Sequence, residues 1–208
     1  MHGCARAPQL SRSVRQKGVR LKGRQSVALQ RSGTRLIEQY TELPASWVSY
    51  DVRFPAVAAR VGSLVHEHMP SVSVEHIGST AVPGCGGKGV VDVMIVCASN
   101  CLELTKDALA ALGFQPQSTR DPFPESRPMR VGTLRHEGQI FRIHAHILTL
   151  GAPEAETLVA FRDRLRADPA LRAEYEACKQ TIVTAGVTDS LAYCEAKSRF
   201  FQGVGANR

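Results

Sequence analysis

The sequence predicts an α+β domain in which a mixed sheet is flanked by helices and followed by a helical C-terminal segment. Three observations predict this class. A β-branched run from Val90 to Val96 is typical of a buried central strand. Two further strand patterns, at residues 129–136 and 140–150, adjoin a short turn. Helical patterns precede the first strand and fill the chain after residue 151. With 43% hydrophobic residues in 208, the chain can bury a core of this size.

The first half of the chain alternates between apolar patterns and a long loop. A first helix is predicted from about Pro55, because the fixed φ of proline suits a first turn. Met69-Pro70 ends this helix, and alternation from Val72 to Ile77 predicts a short strand. Residues 78–89 contain five glycines and one proline and are typical of a loop. The apolar face of the helix consists of Val57, Val61, Leu64 and Val65.

Capping and turn residues delimit the elements of the second half. Ser99-Asn100 predicts the N-cap of a helix that runs to Leu112 and is closed by Gly113. Residues 136–139, His-Glu-Gly-Gln, predict a tight turn between two strands. The C-terminal helices are predicted to begin near Pro153, Pro169 and Ser190, with Asp168 and Asp189 at or next to their caps.

The charge of the chain is concentrated at its N-terminus. The formal net charge is +7, yet nine of the 26 basic residues and no acid lie within residues 1–35. From residue 47 onward, acids and bases are equal in number. We therefore expect residues 1–46 to be a basic, disordered extension and residues 47–208 to be the folded domain. A targeting peptide and a nucleic-acid-binding arm within residues 1–35 are the alternatives.

Composition also bears on the compartment. No apolar run approaches the ~18 residues of a transmembrane helix, so no membrane partner is expected. Six cysteines are present and no CxxC pair occurs among them. Without a secretory signal, reduced thiols in a cytoplasmic protein are expected.

The turn after the first strand carries phosphate-binding chemistry. Gly78-Ser79 exposes backbone N–H groups, and the hydroxyls of Ser79 and Thr80 add donors, so the turn can cradle phosphate oxygens. Lys88 adds a cation from the same loop. Asp92, on the next strand, can hold a Mg²⁺ that bridges those phosphates. His76 either orients the loop or contacts the ligand. This set suits a nucleoside triphosphate or pyrophosphate better than a neutral ligand.

The spacing of these residues resembles known signatures. A Gly-Ser pair, twelve intervening residues and a strand Asp resemble the nucleotidyltransferase superfamily. The longer string HIGSTAVPG at 76–84, followed by KGVVD at 88–92, resembles the GrpB family, a nucleotidyltransferase-fold group that also occurs fused to dephospho-CoA kinases. The segments 50–55 and 142–146 resemble two further motifs of that family. The resemblance covers about residues 48–202 and implies a nucleotidyltransferase-like fold with a phosphate site.

The sequence departs from the superfamily at the metal-binding positions. Nucleotidyltransferases commonly use Asp-x-Asp/Glu and a third carboxylate on a neighbouring strand to hold two metals. Here Met94 stands two positions after Asp92, and the later strand offers His144 and His146. These histidines share one face of a strand. They can bind zinc or another borderline metal together with Asp92, act as general base or phosphate donor, or be structural.

The resemblance and the residues together lead to two hypotheses. In the first, the chain binds a nucleotide or related phosphate ester and transfers a nucleotidyl group with one divalent metal, Mg²⁺ being expected and zinc the alternative. In the second, it is a non-catalytic module for a nucleotide or CoA precursor that has lost the carboxylates. Arg142 shares the histidine face and would hold phosphate. The catalytic candidates are Asp92, which also holds the metal, His144 and His146, and the phosphate-binding candidates are His76, Gly78, Ser79, Thr80, Lys88 and Arg142.

Overall fold

The computed structural model describes residues 36–119 and 121–206. The basic residues 1–35, and with them the nucleic-acid and targeting alternatives, lie outside the described residues. Within them, the helices are α1 (Phe54–His68), α2 (Leu102–Leu112), α3 (Pro153–Ala167), α4 (Pro169–Thr184) and α5 (Ser190–Ala206). The strands are β1 (Ile37–Glu38), β2 (Ser73–Ile77), β3 (Val90–Cys97), β4 (Gln115–Pro116), β5 (Met129–His136) and β6 (Gln139–Thr149).

The six strands form one mixed sheet, as predicted. Its order is β1-β5-β6-β3-β2, with β4 paired to β5. β3 and β6 are parallel neighbours, whereas β2 and β5 run antiparallel to their partners. The β-branched run from Val90 is thus an interior strand, which agrees with its nearly continuous hydrophobicity. The α+β class with flanking helices is confirmed.

The two faces of the sheet differ in what covers them. Because successive strand residues point to opposite faces, Val91, Val93 and Ile95 pack together with residues of α1 and α2 in the largest hydrophobic cluster. On the other face, Met94 packs against Leu148 and partly buried side chains of α3. Asp92 lies on this second face, beside the part of the sheet that α3 covers.

Local sequence signals predicted several boundaries correctly. Pro55 lies in the first turn of α1. A two-residue turn joins β5 to β6, and Glu137 and Gly138 adopt positive φ of 47° and 75°, as a type I′ turn requires. The carboxylate of Asp168 caps α4 by accepting hydrogen bonds of 3.0 Å from the N–H groups of Ala170 and Leu171.

The predicted cap of α2 is wrong. Ser99–Cys101 form a 3₁₀ turn, and α2 begins only at Leu102. The side-chain oxygen of Asn100 accepts a hydrogen bond from the Cys101 thiol at 3.5 Å instead of capping a helical N–H group. The predicted C-terminus is confirmed, because Gly113 adopts a left-handed conformation with φ of 113°.

The boundary at residue 47 also needs correction, because described residues before it belong to the fold. Ile37 is 1% exposed and pairs with Leu134 of β5. Gly132 leaves the space that the side chain of Ile37 occupies. Farther along, Ala45 is buried and its N–H donates to the carbonyl of Thr188 at 2.9 Å. A strand of two residues is too short to produce a detectable alternation, which is why the sequence pattern did not indicate it.

Two further expectations concern membranes and thiols. Among the described helices, none is both long and apolar enough to cross a membrane. The described cysteines are free thiols: Cys85, Cys97, Cys101, Cys178 and Cys194.

Candidate functional site

Three polar side chains meet on the second face of the sheet, beside the part that α3 covers. The parallel register places Asp92 of β3 opposite His144 of β6. One carboxylate oxygen of Asp92, Oδ1, lies 3.5 Å from His144 Nδ1 and 3.4 Å from His146 Nε2. One donor atom from each residue lies within 4.8 Å of the others. The structure therefore brings together the three residues that the sequence analysis proposed as catalytic.

The protonation of this cluster follows from burial and hydrogen bonding. Burial raises the pKa of Asp92, but hydrogen bonds from His144 and His146 outweigh it, and the net pKa lies well below the usual range. Burial lowers the pKa of His144 by more than the nearby carboxylate raises it. An ionised carboxylate beside a neutral imidazole is the state in which these side chains can ligate a metal.

Tyr40, in the segment that follows β1, orients the ring of His144. Its hydroxyl lies 2.9 Å from His144 Nε2, so that Nδ1 of the same ring is turned to Asp92. Burial raises the pKa of Tyr40, although Arg142 opposes this through its charge and a hydrogen bond. Sequence reasoning missed Tyr40 because it lies in the assigned extension. The apolar pair Leu36-Ile37 and the first acids of the chain were the available signal that the extension ends earlier.

Gly78 allows the backbone of the loop to approach Asp92. Its φ is 71°, and a Cβ added there would lie 2.6 Å from Oδ2 of Asp92. The next residue, Ser79, lies near a second glycine of the loop. A Cβ added at Gly87 would lie 2.9 Å from Ser79 Oγ and 3.2 Å from Lys179 Nζ. Glycine at both positions therefore permits the close approach of loop, carboxylate and cation.

His76 and Thr80 contact each other and are not brought to the Asp92 cluster. Thr80 is 2% exposed, and its hydroxyl lies 3.0 Å from His76 Nε2. His76 pairs with Val93, which belongs to the α1 side of the sheet, and so points away from the face of Asp92. Burial lowers the pKa of His76 to about 4. These contacts agree with the loop-orienting interpretation of His76.

Cations surround the cluster on the side of the loop. Arg142 donates from Nη2 to the carbonyl of Lys88 at 2.7 Å. Burial lowers the pKa of Lys88, and the charges of Lys197 and Arg142 act in the same direction, which indicates that these cations lie near one another. The charge of Tyr175 is the largest influence raising the pKa of Lys197, and Asp92 contributes as well. Such a concentration of positive charge favours an anionic ligand.

Basic side chains of α3 and α4 hold the end of β2 and the glycine-rich loop by hydrogen bonds to backbone carbonyl groups. Two of these side chains are buried: Arg162 is 9% and Lys179 is 1% exposed. Basic residues three, four or seven positions apart on one helix share a face, which was the signal available. The bonds are Arg162 to His76 O at 3.0 Å, Arg166 to Ala81 O at 2.9 Å, Arg172 to Pro83 O at 3.1 Å, and Lys179 to Gly86 O.

Met94 occupies the position of a second carboxylate. It is 2% exposed and packs with Ile77 and Leu148 in the hydrophobic cluster under α3. His146 pairs with it across the sheet. The donors available at the cluster are therefore one carboxylate and two imidazoles. This set suits zinc or another borderline metal better than Mg²⁺, which prefers oxygen ligands.

Comparison with known proteins gives consistent matches over this domain. A family model described as GrpB protein matches residues 44–206. A UPF0157 protein of Streptomyces coelicolor is 36% identical over 61% of this chain. The match covers 63% of that protein, which is less than two thirds of its length. A dephospho-CoA kinase of Mycolicibacterium paratuberculosis is 30% identical over 79% of this chain and 46% of its own length. The crystal structure of the conserved protein GrpB from Enterococcus faecalis superposes with a TM-score of 0.56 and 17% identity, over 76% of this chain and 99% of that one.

Proposed function

The chain belongs to the GrpB family, and from this premise we propose that it binds a nucleotide or related phosphate ester at the sheet face of Asp92. The observation that carries the proposal is the meeting of Asp92, His144 and His146 beside a glycine-rich loop and several cations. One relative is named a dephospho-CoA kinase. CoA precursors therefore join nucleotides as candidate ligands.

A single divalent metal fits the donor set of this site. Asp92, His144 and His146 would hold it, and positions left open would face the ligand. The metal would neutralise phosphate charge and polarise a phosphoryl oxygen. Mg²⁺ was the expectation from sequence, but two imidazoles with one carboxylate favour a borderline metal such as zinc. Tyr40 supports this assignment, since a ligating histidine is commonly oriented through its second ring nitrogen.

The phosphate oxygens of the ligand would lie between the loop and β6. Ser79 offers a hydroxyl from the loop, and Lys88 and Arg142 offer positive charge next to Asp92. Arg142 already donates to the backbone carbonyl of Lys88, which orders the Arg142 side chain before the ligand arrives, and the Lys88 ammonium lies 5.0 Å from the centroid of the Tyr193 ring. Binding then requires little additional ordering of the protein, which favours affinity.

Two activities are compatible with this binding mode. The first is transfer of a nucleotidyl group from a nucleoside triphosphate to an acceptor oxygen, in which the α–β phosphoanhydride bond breaks and pyrophosphate leaves. A metal held by Asp92, His144 and His146 would supply positive charge to the phosphoryl group. The second is binding without turnover, and the burial of Met94 at the second carboxylate position favours it. A two-metal mechanism needs more acidic ligands than Asp92 alone provides.

Calorimetric titration of the full chain tests the proposal. ATP, UTP and dephospho-CoA are added with Zn²⁺, Mn²⁺, Mg²⁺ or a chelator present. We expect binding of a phosphate ligand that weakens at least about tenfold in Asp92→Asn and after metal removal. Asp107→Asn, at an exposed position of α2, is the matched control and should change nothing. A pyrophosphate-release assay then separates transfer from binding without turnover.

Two results of this titration would contradict the proposal. If the wild-type protein binds none of these ligands and none of these metals, the proposal fails. If a ligand binds with the same affinity to Asp92→Asn, the site lies elsewhere on the protein.

A further inference from the structure

An aromatic ring lies at the edge of the metal-ligand cluster. Phe123, in the segment between β4 and β5, has its ring centroid 5.6 Å from that of His146, with an interplanar angle of 84°. The guanidinium of Arg127 lies 5.4 Å from the centroid of the Phe123 ring. Phe123 nevertheless remains 38% exposed. A partly exposed aromatic ring thus lies in contact with a candidate metal ligand, where it can also meet a ligand bound at the cluster.

Ion pairs hold this segment in place. Glu125 accepts hydrogen bonds from Arg130 Nη2 at 2.8 Å and from Lys106 Nζ at 2.9 Å. The guanidinium of Arg127 pairs with Glu154 of α3 at 2.8 Å. These contacts tie the segment around Phe123 to α2, β5 and α3. The exposed ring is therefore held in position beside His146.

The two ends of the candidate site along β6 differ in their chemistry. Arg142, His144 and His146 lie on one face at every second position, and a strand rises about 3.4 Å per residue. The cations Arg142 and Lys88 lie at one end of the site. The metal-ligand cluster lies in the middle, and Phe123, whose ring contacts that of His146, lies at the other end. A nucleotide has the same order, with an anionic phosphate chain at one end and a planar base at the other.

We propose that Phe123, supported by Arg127, forms the stacking surface for the planar base of a nucleotide whose phosphates lie toward Lys88 and Arg142. The inference rests on the proposed function and adds to it that the ligand is recognised through a base as well as through phosphate. Stacking on an aromatic ring tolerates any base because every base has a π-face. The guanidinium of Arg127 lies over the same ring, where cation–π attraction helps to hold Phe123 in place.

Titration of the full chain with ATP and with inorganic tripolyphosphate, in the same metal buffer, tests this inference. ATP is expected to bind more tightly than tripolyphosphate. Phe123→Ala should weaken ATP binding about 5- to 100-fold and leave tripolyphosphate binding unchanged, whereas Phe123→Tyr should retain ATP affinity. Leu104→Ala, which truncates a 68% exposed apolar side chain on α2, is the control. Circular dichroism confirms that each variant is folded.

The outcomes distinguish this inference from the proposed function. If tripolyphosphate and ATP bind equally well to the wild type, or if Phe123→Ala binds ATP normally, the stacking surface is refuted and the phosphate site stands. If neither compound binds to the wild type, the stacking surface is refuted, and the titrations with UTP and dephospho-CoA decide the proposed function.

Discussion

Replacing Gly78 with alanine tests the close approach of the loop to Asp92. Gly78 has φ of 71° and ψ of −171°, a region that is essentially restricted to glycine. Alanine there costs about 1–3 kcal/mol in backbone strain. In addition, the new Cβ would lie 2.6 Å from Oδ2 of Asp92, and overpacking of this kind costs about 1–3 kcal/mol. We expect Gly78→Ala to lower the free energy of unfolding by about 2–6 kcal/mol.

Two comparisons separate the backbone cost from the steric cost. Gly138 has φ of 75° and no heavy atom within 4 Å of an added Cβ, so Gly138→Ala should cost only about 1–2 kcal/mol. In the Asp92→Ala background the clashing carboxylate is absent and only the Cβ of residue 92 remains, 3.2 Å from the added Cβ, so the cost of Gly78→Ala should fall toward its backbone share. The difference between the two backgrounds measures the contact by a double-mutant cycle.

Urea unfolding of the four proteins of this cycle, monitored by circular dichroism, provides the free energies. The wild type, both single variants and the double variant are measured in one buffer. If Gly78→Ala costs the same with and without the Asp92 carboxylate, the loop does not approach Asp92 as described. If it costs no more than Gly138→Ala, the steric argument is refuted as well.

Two further predictions concern stability. Ile37→Ala should lower the unfolding free energy by about 2–5 kcal/mol, since its side chain is fully buried, whereas Leu36→Ala at a 48% exposed position should change it by less than about 0.5 kcal/mol. Equal urea midpoints for the two variants would show that β1 is not part of the fold. The pKa of His76 is lowered to about 4 by burial, so the unfolded state takes up the proton first, and the stability present above about pH 6.5 declines as pH falls toward 4. His76→Gln should reduce this decline between pH 7 and pH 4.5 in urea unfolding; an unchanged slope would contradict it.

Short-range signals predicted most of the fold because their cause is local. Asp168 caps α4 through backbone N–H groups two and three positions away. The β5–β6 turn depends on two consecutive residues, Glu137 and Gly138, that tolerate positive φ. The predicted N-cap of α2 is wrong for an equally local reason: the side-chain oxygen of Asn100 accepts a hydrogen bond from the adjacent thiol of Cys101.

The candidate site could be predicted only in part. The alternation of strand residues placed His144 and His146 on one face, and the resemblance indicated that Asp92 lies on the neighbouring strand. Tyr40 could not be found in this way, because its contact with His144 spans 104 positions along the chain. Phe123 lies in a polar, proline-rich stretch whose sequence carries no periodic signal.

By itself, the sequence determined the family, the α+β class and the chemical types that line the site, since these depend on composition, local periodicity and short motifs. Only the tertiary structure decided which cations lie near Asp92 and which bind backbone carbonyl groups. Lys88 lies within electrostatic reach of Asp92 and Arg142, whereas Arg162 is buried against the carbonyl of His76 in β2 and Lys179 against that of Gly86 in the loop. The physical reason is that charge alone does not specify a partner, and a buried cation acquires its role from the oxygen atoms that the fold places around it.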